Sequence, residues 1–467
     1  MTYNNLGNSK IDTAWAQNVS GLMRNSFTAK VIMIGIVVLL CQIPILMVDD
    51  LIDRRLDLAQ AVEKDIASKW GYRQKVSGPL LAIPVSRMIT QTEKNGKSSR
   101  EVTREEFSTY FAVPQDLKIS GELTPEIRYR GIYEVVLYRS RIKLQGNIVF
   151  PAGVDKWQLQ LDKSRLIVGI ADLQGISAIS GKFAGQTVIP EPGLCDKAPF
   201  PSGFSLPLGG QKNGSFEICF DLNGCRELLF SMTGRQTLLD LSSCWPAPSF
   251  CGAFLPVKRH ITDKGFTAEW SVSEFNRDLP GSWIGSAVSF QQPEKNSHCG
   301  ESHYERSAGV TLVKPADTYL QVNRAVEYAL LVFIIVLMAM LIAERLTKVW
   351  VHPLQYFIAA LSLVLFYSLT LAISEHTSFA TAYIISTLVL AGTTGFYSAL
   401  IYRKWRSALG MALAALSAYS AIFVILQLED YALLAGTVIL FVLLVVLMTF
   451  TGKINRMESA NNSGNIE

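Results

Sequence analysis

The chain of 467 residues is 49% hydrophobic but only 18% charged, and its mean hydropathy is +0.25. Soluble proteins average about 25% charged residues, so this composition argues against a wholly soluble protein and is typical of a chain that is partly embedded in a membrane. The net charge of +4 is small and does not indicate nucleic acid as a partner.

Six apolar runs are distributed unevenly along the chain. One lies near the N-terminus, and the other five crowd the C-terminal third. Each run is long enough, or nearly so, to cross a hydrocarbon core of about 30 Å as a helix. We predict spans at residues 31–48, 325–342, 354–373, 378–400, 408–427 and 431–451.

The basic residues of the short loops indicate how these spans are oriented. Lys or Arg precedes the first span, separates the second from the third and the fourth from the fifth, and follows the sixth. The turns at 374–378 and 428–430 contain neither residue type. Basic residues in short loops are retained in the cytoplasm, so both tails, residues 1–30 and 452–467, are predicted to be cytoplasmic. Residues 49–324 are then extracytoplasmic, and the Asn- and Ser-rich N-terminal tail is predicted to be disordered.

The first span is interpreted as an uncleaved signal anchor. A cleavable signal peptide would end at a small-x-small site, which is missing before Asp49. A lipoprotein signal would place a small residue directly before the cysteine, but Cys41 follows Leu40.

Residues 49–70 are predicted to continue the first helix as a stalk. Apolar residues recur there in steps of three or four and form one stripe on a charged helix: Ile52, Leu56, Ala59, Val62, Ile66 and Trp70. We favour a stalk that packs on the soluble domain. The alternative is a helix that lies on the outer membrane surface or pairs with a partner helix.

After Gly71 the chain changes to short apolar runs separated by Gly, Pro, Asn and Asp: 80–85, 107–113, 132–137, 144–150, 157–161, 166–170, 216–220, 228–232 and 266–272. Their alternation predicts antiparallel strands of a sandwich or barrel-like domain. Gly78-Pro79 is predicted to turn into a strand that buries Leu81, Ile83 and Val85. Two subdomains divided within 190–214 are an alternative to one domain.

The predicted fold class is therefore a membrane protein: an α-helical bundle of six transmembrane helices, residues 31–48 and 325–451, plus a large β-rich domain inserted after the first helix. The inserted domain occupies residues 49–324, with its helical stalk at 49–70.

Cysteine placement agrees with this topology. Cys41 lies in a span, and the other six lie in the extracytoplasmic segment: Cys195, Cys219, Cys225, Cys244, Cys251 and Cys299. An even number on an oxidising side predicts up to three disulfides, with Cys219/Cys225 and Cys244/Cys251 as the favoured local closures. A zinc site at His298, Cys299 and His303 is disfavoured because the paired ligand spacing is missing. We predict no metal and no cofactor.

Several motifs together resemble the inner membrane protein CreD family, also called cell envelope integrity inner membrane proteins. They are SGPLLAIPV at 77–85, WPAPSF at 245–250 with FLP at 254–256, PAD at 315–317, and HPLQY at 352–356 running to SEHT at 374–377. The resemblance implies a bacterial inner membrane protein with a large periplasmic domain and a role in envelope integrity within a carbon-source-responsive regulon. It carries over no catalytic residues.

Two of these motifs have structural explanations. In Trp245-Pro246-Ala247-Pro248 the prolines favour an extended segment, whose Trp can pack as an anchor; a packed domain corner is favoured over a peptide-binding groove. His352 precedes Pro353, which is predicted to occupy the first turn of the third span, where its missing N–H costs nothing.

Glu375 and His376 are the strongest candidates for a functional pair. They lie in a short turn between two predicted spans, and ionisable residues near a membrane are often functional. The alternative is that both are polar turn residues beside the next helix. Glu344, next to Arg345 at the other side of the membrane, is expected to pair locally or to reach the cytoplasm.

Recognisable enzyme motifs, such as Gly-x-Ser-x-Gly, a Walker A loop or His-Glu-x-x-His, are missing from the sequence. Three functions are considered: a scaffold or binding protein that acts through its periplasmic domain, a lipid or small-molecule transport factor, and an unrecognised envelope enzyme. We favour the first. Its predicted partners are the lipid bilayer and an envelope protein or lipid, and the sequence leaves the oligomeric state open.

Overall fold

The structure, a computed structural model, describes residues 27–95, 98–152, 154–211, 213–290, 306–314, 318–428, 434–442, 444–445 and 448–449. Most of both predicted cytoplasmic tails lies outside these residues, as do His298, Cys299 and His303. The chain divides into two compact units: residues 59–315 form one, and residues 1–58 with 316–467 form the other.

In its described residues, the unit that comprises 1–58 and 316–467 is helical. Its helices, the first of which continues into the other unit, are α1 (Phe27–Trp70), α2 (Thr318–Glu327), α3 (Ala329–Thr347), α4 (Pro353–Ser374), α5 (Phe379–Tyr402) and α6 (Trp405–Gln427). Within the described residues, all of these except α2 are long and apolar enough to cross a membrane, which agrees with five of the predicted spans. The sixth, 431–451, lies partly outside the described residues, and 434–442 are helical.

The first half of α1 packs into the helical bundle along one face. Its buried residues recur every three or four positions, as a helix of 3.6 residues per turn requires. They join one apolar cluster with α3, α4, α5 and α6: Met33, Ile34, Val37, Cys41, Ile45, Val48 and Ile52. The opposite face leaves Leu39, Ile43 and Met47 exposed, which suits contact with lipid. The predicted signal anchor is therefore an integral helix of the bundle.

The unit formed by residues 59–315 is β-rich, as predicted. Its strands are β1 (Gln74–Asn95), β2 (Ser98–Ala112), β3 (Asp116–Arg130), β4 (Tyr133–Ile148), β5 (Gln158–Leu159), β6 (Arg165–Ile170), β7 (Ile176–Phe183), β8 (Gln186–Val188), β9 (Glu191–Pro192), β10 (Gly203–Pro207), β11 (Gly214–Cys225), β12 (Glu227–Ser231), β13 (Gln236–Ser243), β14 (Pro248–Gly252), β15 (Lys258–Thr262), β16 (Gly265–Ser273), β17 (Ser282–Ile284) and β18 (Ser307–Leu312).

In the described residues the strands form two sheets. The ten-stranded sheet has the order β14-β18-β12-β1-β6-β10-β9, with β2 and β5 also pairing with β1, and β17 pairing with β2. The eight-stranded sheet has the order β15-β16-β13-β3-β4-β11-β7-β8. The prediction of antiparallel pairing is wrong for β1 with β12 and for β3 with β13, which are parallel.

The inner faces of the two sheets share one apolar core. Leu117, Ile119 and Leu123 of β3 point into it, and Lys118, Ser120 and Glu122 point outward. The alternation follows from the two-residue period of a strand. Contributions from β1, such as Leu81 and Ile83, join the same cluster, so the space between the sheets is filled with side chains.

The first part of strand β1, residues 74–86, is buried on both of its faces. Leu80 and Ala82, which the sequence pattern did not predict as core residues, belong to a second apolar cluster with Phe111, Phe200 and Trp283. The predicted turn at Gly78-Pro79 is wrong: β1 runs through it, and only its register with β6 shifts between Ser77 and Leu80.

The end of α1 packs on the β-rich unit, which is the arrangement that the stalk hypothesis favours. Val62, Ile66 and Trp70 contact a cluster that includes Val135 and Leu137 of β4. The guanidinium of Arg128 lies 4.0 Å from the centre of the Trp70 ring, a cation–π contact that covers the ring.

Candidate functional sites

The outward-facing side chains of β3, β4, β11, β13, β15 and β16 form a surface that we call the polar face. Strand register aligns side chains from six strands in one row across it: Lys258, Glu269, Asp240, Ser120, Lys143 and Cys219. Three open concavities of about 460, 420 and 430 Å³ lie on this face. The first two adjoin, because Glu122, Ser242 and Thr267 line both.

Charges of both signs are interspersed over the polar face. Nζ of Lys143 lies 3.1 Å from Oε2 of Glu217, and Nε of Arg141 lies 3.2 Å from Oδ1 of Asp221. The hydrogen bond from Lys143 lowers the pKa of the Glu217 carboxyl below its usual value. Exposed pairs of this kind add little stability. Among the described residues Glu122 makes no ion pair, although it lies opposite Arg141 in register. The face thus presents polar and charged groups at the surface of the domain.

In the turn after α4, the side chains of Glu375 and His376 have different surroundings. Glu375 caps the C-terminus of α4, and its Oε1 lies 3.1 Å from Nε of Arg55 on α1. Only 12% of the Glu375 side chain is exposed, whereas His376 is exposed. The Glu375 carboxylate therefore has a cationic partner from α1, which sequence reasoning did not identify.

A second ionic site is buried within the helical bundle, and sequence reasoning missed it. Lys30 of α1 forms an ion pair with Glu344 of α3, with both side chains 5% exposed. The hydroxyl of Tyr356 donates to Oε2 of Glu344 at 2.8 Å, and the backbone N–H of Val351 donates to Oε1 at 3.3 Å. The expectation that Glu344 pairs locally or reaches the cytoplasm is wrong, because its partner lies 314 residues away.

A signal for this site was present in the sequence. Lys30 and Glu344 each stand at the end of an apolar run that the loop charges assign to the same side of the membrane. Opposite charges in that arrangement are expected to pair, because an unpaired charge in a bundle costs several kcal/mol.

The Trp245 motif forms a corner of the β core. The Trp245 side chain belongs to the core cluster, and its Nε1–H donates to the carbonyl of Val313 at 2.8 Å. Pro246 is exposed, and Pro248 is half-buried at the start of β14. The indole N–H is therefore already hydrogen-bonded to a backbone carbonyl of the same domain, whereas Pro246 is accessible to solvent.

His352 caps the N-terminus of α4. Its Nδ1 accepts a hydrogen bond from the backbone N–H of Leu354 at 3.2 Å, and Oε1 of Gln355 accepts from the backbone N–H of His352 at 2.9 Å. Pro353 occupies the first turn, as predicted. This is a reciprocal capping box, in which two donors of the helix end are satisfied.

The predicted local disulfides are wrong. Neither pair is bridged, because Cys219, Cys225 and Cys244 are free thiols, as are Cys41 and Cys195. Cys219 and Cys225 lie six residues apart on the single strand β11, which separates them by about 20 Å, far beyond the span of a disulfide. The thiol of Cys251 instead lies 3.4 Å from the hydroxyl of Thr311. Burial raises the pKa of Cys195 to about 11 and that of Cys225 to about 12. Cys299 lies outside the described residues.

The described residues contain no group of three or more His, Cys, Asp or Glu side chains placed to hold a metal ion. Together, the apolar helices and the two sheets define a multi-pass helical membrane protein with a large β domain. A sequence profile described as "Inner membrane protein CreD" matches residues 26–457. The inner membrane protein CreD of Escherichia coli (strain K12) is 32% identical over 424 residues, which cover 90% of this chain and 91% of that protein.

The chain therefore belongs to the CreD family of inner membrane proteins, as its motifs predicted. One solved structure that matches is an M1 zinc metallopeptidase variant from Deinococcus radiodurans bound to a substrate. The match covers 37% of this chain and 42% of that chain, with 10% sequence identity and a TM-score of 0.20. This likeness is too weak to carry an argument about fold or function.

Proposed function

We propose that this protein contributes to cell envelope integrity as a scaffold whose β domain binds an envelope component in the periplasm. The proposal places both termini in the cytoplasm, since the loops with Lys and Arg are then all on that side. The residue 59–315 unit, which follows the first span, lies on the opposite side under this arrangement.

The observation that carries this proposal is the polar face. It extends over six strands, holds three concavities, and carries charges of both signs. A surface of this kind suits a partner that is itself polar and of mixed charge. The partner class is therefore an envelope protein or the polar part of an envelope lipid, bound on a rigid sheet.

The transport alternative receives less support from the same domain. A lipid carrier needs an apolar cavity, but the residues between the two sheets are packed against one another, many with no exposed surface. The three concavities instead carry polar side chains. Binding at the surface is the simpler account of this geometry.

The experiment measures envelope permeability in a deletion strain. The strain is complemented with the wild-type chain or with Glu122→Lys/Ser242→Arg, which places charge and bulk where two concavities adjoin. The control is Glu105→Lys/Thr103→Arg, which introduces the same two side chains at exposed positions of β2. Loss of the barrier with the first variant alone, at equal protein levels, supports the proposal. Equal complementation by both variants rejects the polar face as the binding surface.

A further inference from the structure

Three arginines meet at one end of the β domain. Arg235 lies in the turn between β12 and β13, Arg277 follows β16, and Arg306 directly precedes β18. Strand pairing brings them together: β13 pairs with β16 through Gln236 and Ser273, and the backbone N–H of Met232 donates to the carbonyl of Arg306 at 2.8 Å. The cluster therefore lies where strand ends of both sheets meet.

Arg277 is the buried member of this cluster, with 4% of its surface exposed. Its Nη1 donates weakly to the carbonyl of Leu279 at 3.5 Å. Its Nε and Nη2 are buried and have no acceptor among the described residues. Buried donors are almost always satisfied, and a buried guanidinium without an acceptor is costly. These two atoms form the side of the guanidinium fork that binds two oxygens of one anion.

Among the described residues, Arg277 forms no ion pair with a carboxylate, whereas Arg235 and Arg306 each do. Nε of Arg235 lies 3.8 Å from Glu274, and Nη2 of Arg306 lies 3.4 Å from Asp278. Burial lowers the pKa of Arg277 to about 10; Glu274 opposes the shift, and Arg235 and Arg306 add to it. In the part of the chain that the structure describes, three guanidiniums thus face two carboxylates, and the unpaired positive charge is the buried one.

A hydroxyl in the same turn as Arg235 adds a further polar group. Thr233 has no exposed surface, and its Oγ1 has no partner among the described residues. Arg235 and Arg306 are by contrast partly exposed, with 47% and 25% of their side chains accessible. Solvent therefore reaches the cluster from their side.

We propose that Arg235, Arg277 and Arg306 form a binding site for a phosphate group, in which the Arg277 fork holds two phosphate oxygens and the other two arginines close the rim. The phosphate belongs to a lipid headgroup or to a free phosphate ester or ion. Arginine is the residue best suited to this ligand, since its planar fork matches two phosphate oxygens. The site is separate from the polar face, and its test does not depend on the proposed function.

The test uses the full-length protein purified in detergent. Its thermal unfolding midpoint is followed as sodium phosphate replaces sodium chloride at constant ionic strength and pH. The wild type is compared with Arg235→Gln/Arg306→Gln, which removes the rim but leaves the buried residue in place. The control is Arg87→Gln/Arg165→Gln, because these partly exposed arginines lie outside the polar face and also form ion pairs with carboxylates. We expect phosphate to raise the unfolding midpoint of the wild type and of the control. The rim variant is expected to need at least about tenfold more phosphate for the same rise in midpoint.

A second titration with a soluble short-chain phosphatidylglycerol, below its micellar concentration, distinguishes the sources. A lower half-effective concentration for the lipid than for inorganic phosphate assigns the site to lipid headgroups, and the reverse order assigns it to free phosphate. Arg277→Met is a further variant, and if it does not fold the rim variant still decides. The proposal is overturned if neither ligand raises the unfolding midpoint of the wild type, or if the midpoint of the rim variant rises as much as that of the control.

Discussion

The guanidinium Nε of Arg55 lies 3.1 Å from Oε1 of Glu375, which links α1 to the turn that ends α4. This contact changes the interpretation of the turn. Glu375 is held by a cation from another helix, whereas the neighbouring His376 is exposed to the surroundings. The two residues are therefore expected to respond differently to substitution.

Glu375→Gln is expected to lower the free energy of unfolding by about 1 kcal/mol or less, since Arg55 is 37% exposed and solvent screens the pair. His376→Ala is expected to have a smaller effect. The measurement is thermal unfolding of the purified protein in detergent. Asp50→Asn is the control, because it breaks the more exposed Asp50–Arg54 pair on the same helix. A Glu375→Gln variant with unchanged stability but lost envelope function would instead support a chemical role for the carboxylate.

Lys30→Met is expected to destabilise the helical bundle by about 3–5 kcal/mol, because it leaves Glu344 buried without its countercharge. Lys30→Met/Glu344→Gln removes both charges and is expected to recover most of that loss. Tyr356→Phe removes one hydrogen bond to the carboxylate and should cost about 1.5–3 kcal/mol. Unfolding in mixed detergent micelles measures all three. A double variant no more stable than Lys30→Met contradicts the assignment of the pair.

Trp245→Ala is expected to cost about 3–5 kcal/mol, because the indole fills part of the β core. Trp245→Phe keeps most of the buried surface but loses the hydrogen bond to Val313, a loss of about 1 kcal/mol. Pro246→Ala, at the exposed neighbour, is the control and is expected to be close to neutral. Thermal unfolding of the three variants gives the comparison. A larger loss at Pro246 than at Trp245 would show that the corner does not pack as described.

The cysteines are expected to react according to burial. Cys244 is exposed and should be labelled rapidly by a membrane-impermeant maleimide in intact spheroplasts if the β domain is periplasmic. Cys225 is buried, with its pKa raised to about 12, and should react only after unfolding. Mass spectrometry under non-reducing conditions reads both outcomes. Cys244→Ser is the control, and labelling of Cys244 only after the membrane is permeabilised would reverse the proposed orientation.

Glu227 is expected to make stability depend on pH. Burial raises the pKa of its carboxyl above the usual value, although Arg73 and Lys75 oppose the shift. Because the pKa of this carboxyl is higher in the folded than in the unfolded protein, its contribution to stability is fully present below the unfolded pKa, near 4.3. The contribution is lost as the pH rises through the folded-state pKa. The wild type should therefore lose stability relative to Glu227→Gln over that interval. Unfolding at a series of pH values measures the difference, and parallel curves for the two proteins would contradict it.

Some predictions succeeded because they depend only on local pattern. The apolar runs at 354–373, 378–400 and 408–427 lie within or close to α4, α5 and α6, since length and hydropathy suffice to predict a span. Pro353 lies in the first turn of α4 for a similarly local reason. In the β domain, the runs 132–137 and 144–150 lie mostly in a strand, as predicted, but they belong to one strand, β4. The predicted alternation is wrong for the first run, because Val135, Val136 and Leu137 are all buried. The polar residues between the two runs interrupt the apolar pattern without interrupting the pairing with β3 and β11.

Other features depend on which distant segments meet. The apolar stripe from Ile52 to Trp70 was evident in the sequence. The sequence did not indicate that the last turns of this helix contact β4 and Cys225. Leu80 and Ala82 are buried because a further layer of residues covers the second face of β1, and a period of two predicts burial of one face only. The disulfide prediction failed for a related reason, because spacing along the chain does not reveal that two cysteines share an extended strand.

The sequence by itself determined the membrane helices, the β-rich character of the long segment between them, the proline in the first turn of α4 and the family, because each depends on composition or on neighbours within a few residues. Only the tertiary structure decided that Lys30 meets Glu344, that Arg55 meets Glu375 and that three arginines from separate strand ends converge. Such contacts join residues far apart in the chain. Their partners are selected by how helices and sheets pack around shared cores, and a local pattern holds no information about that packing.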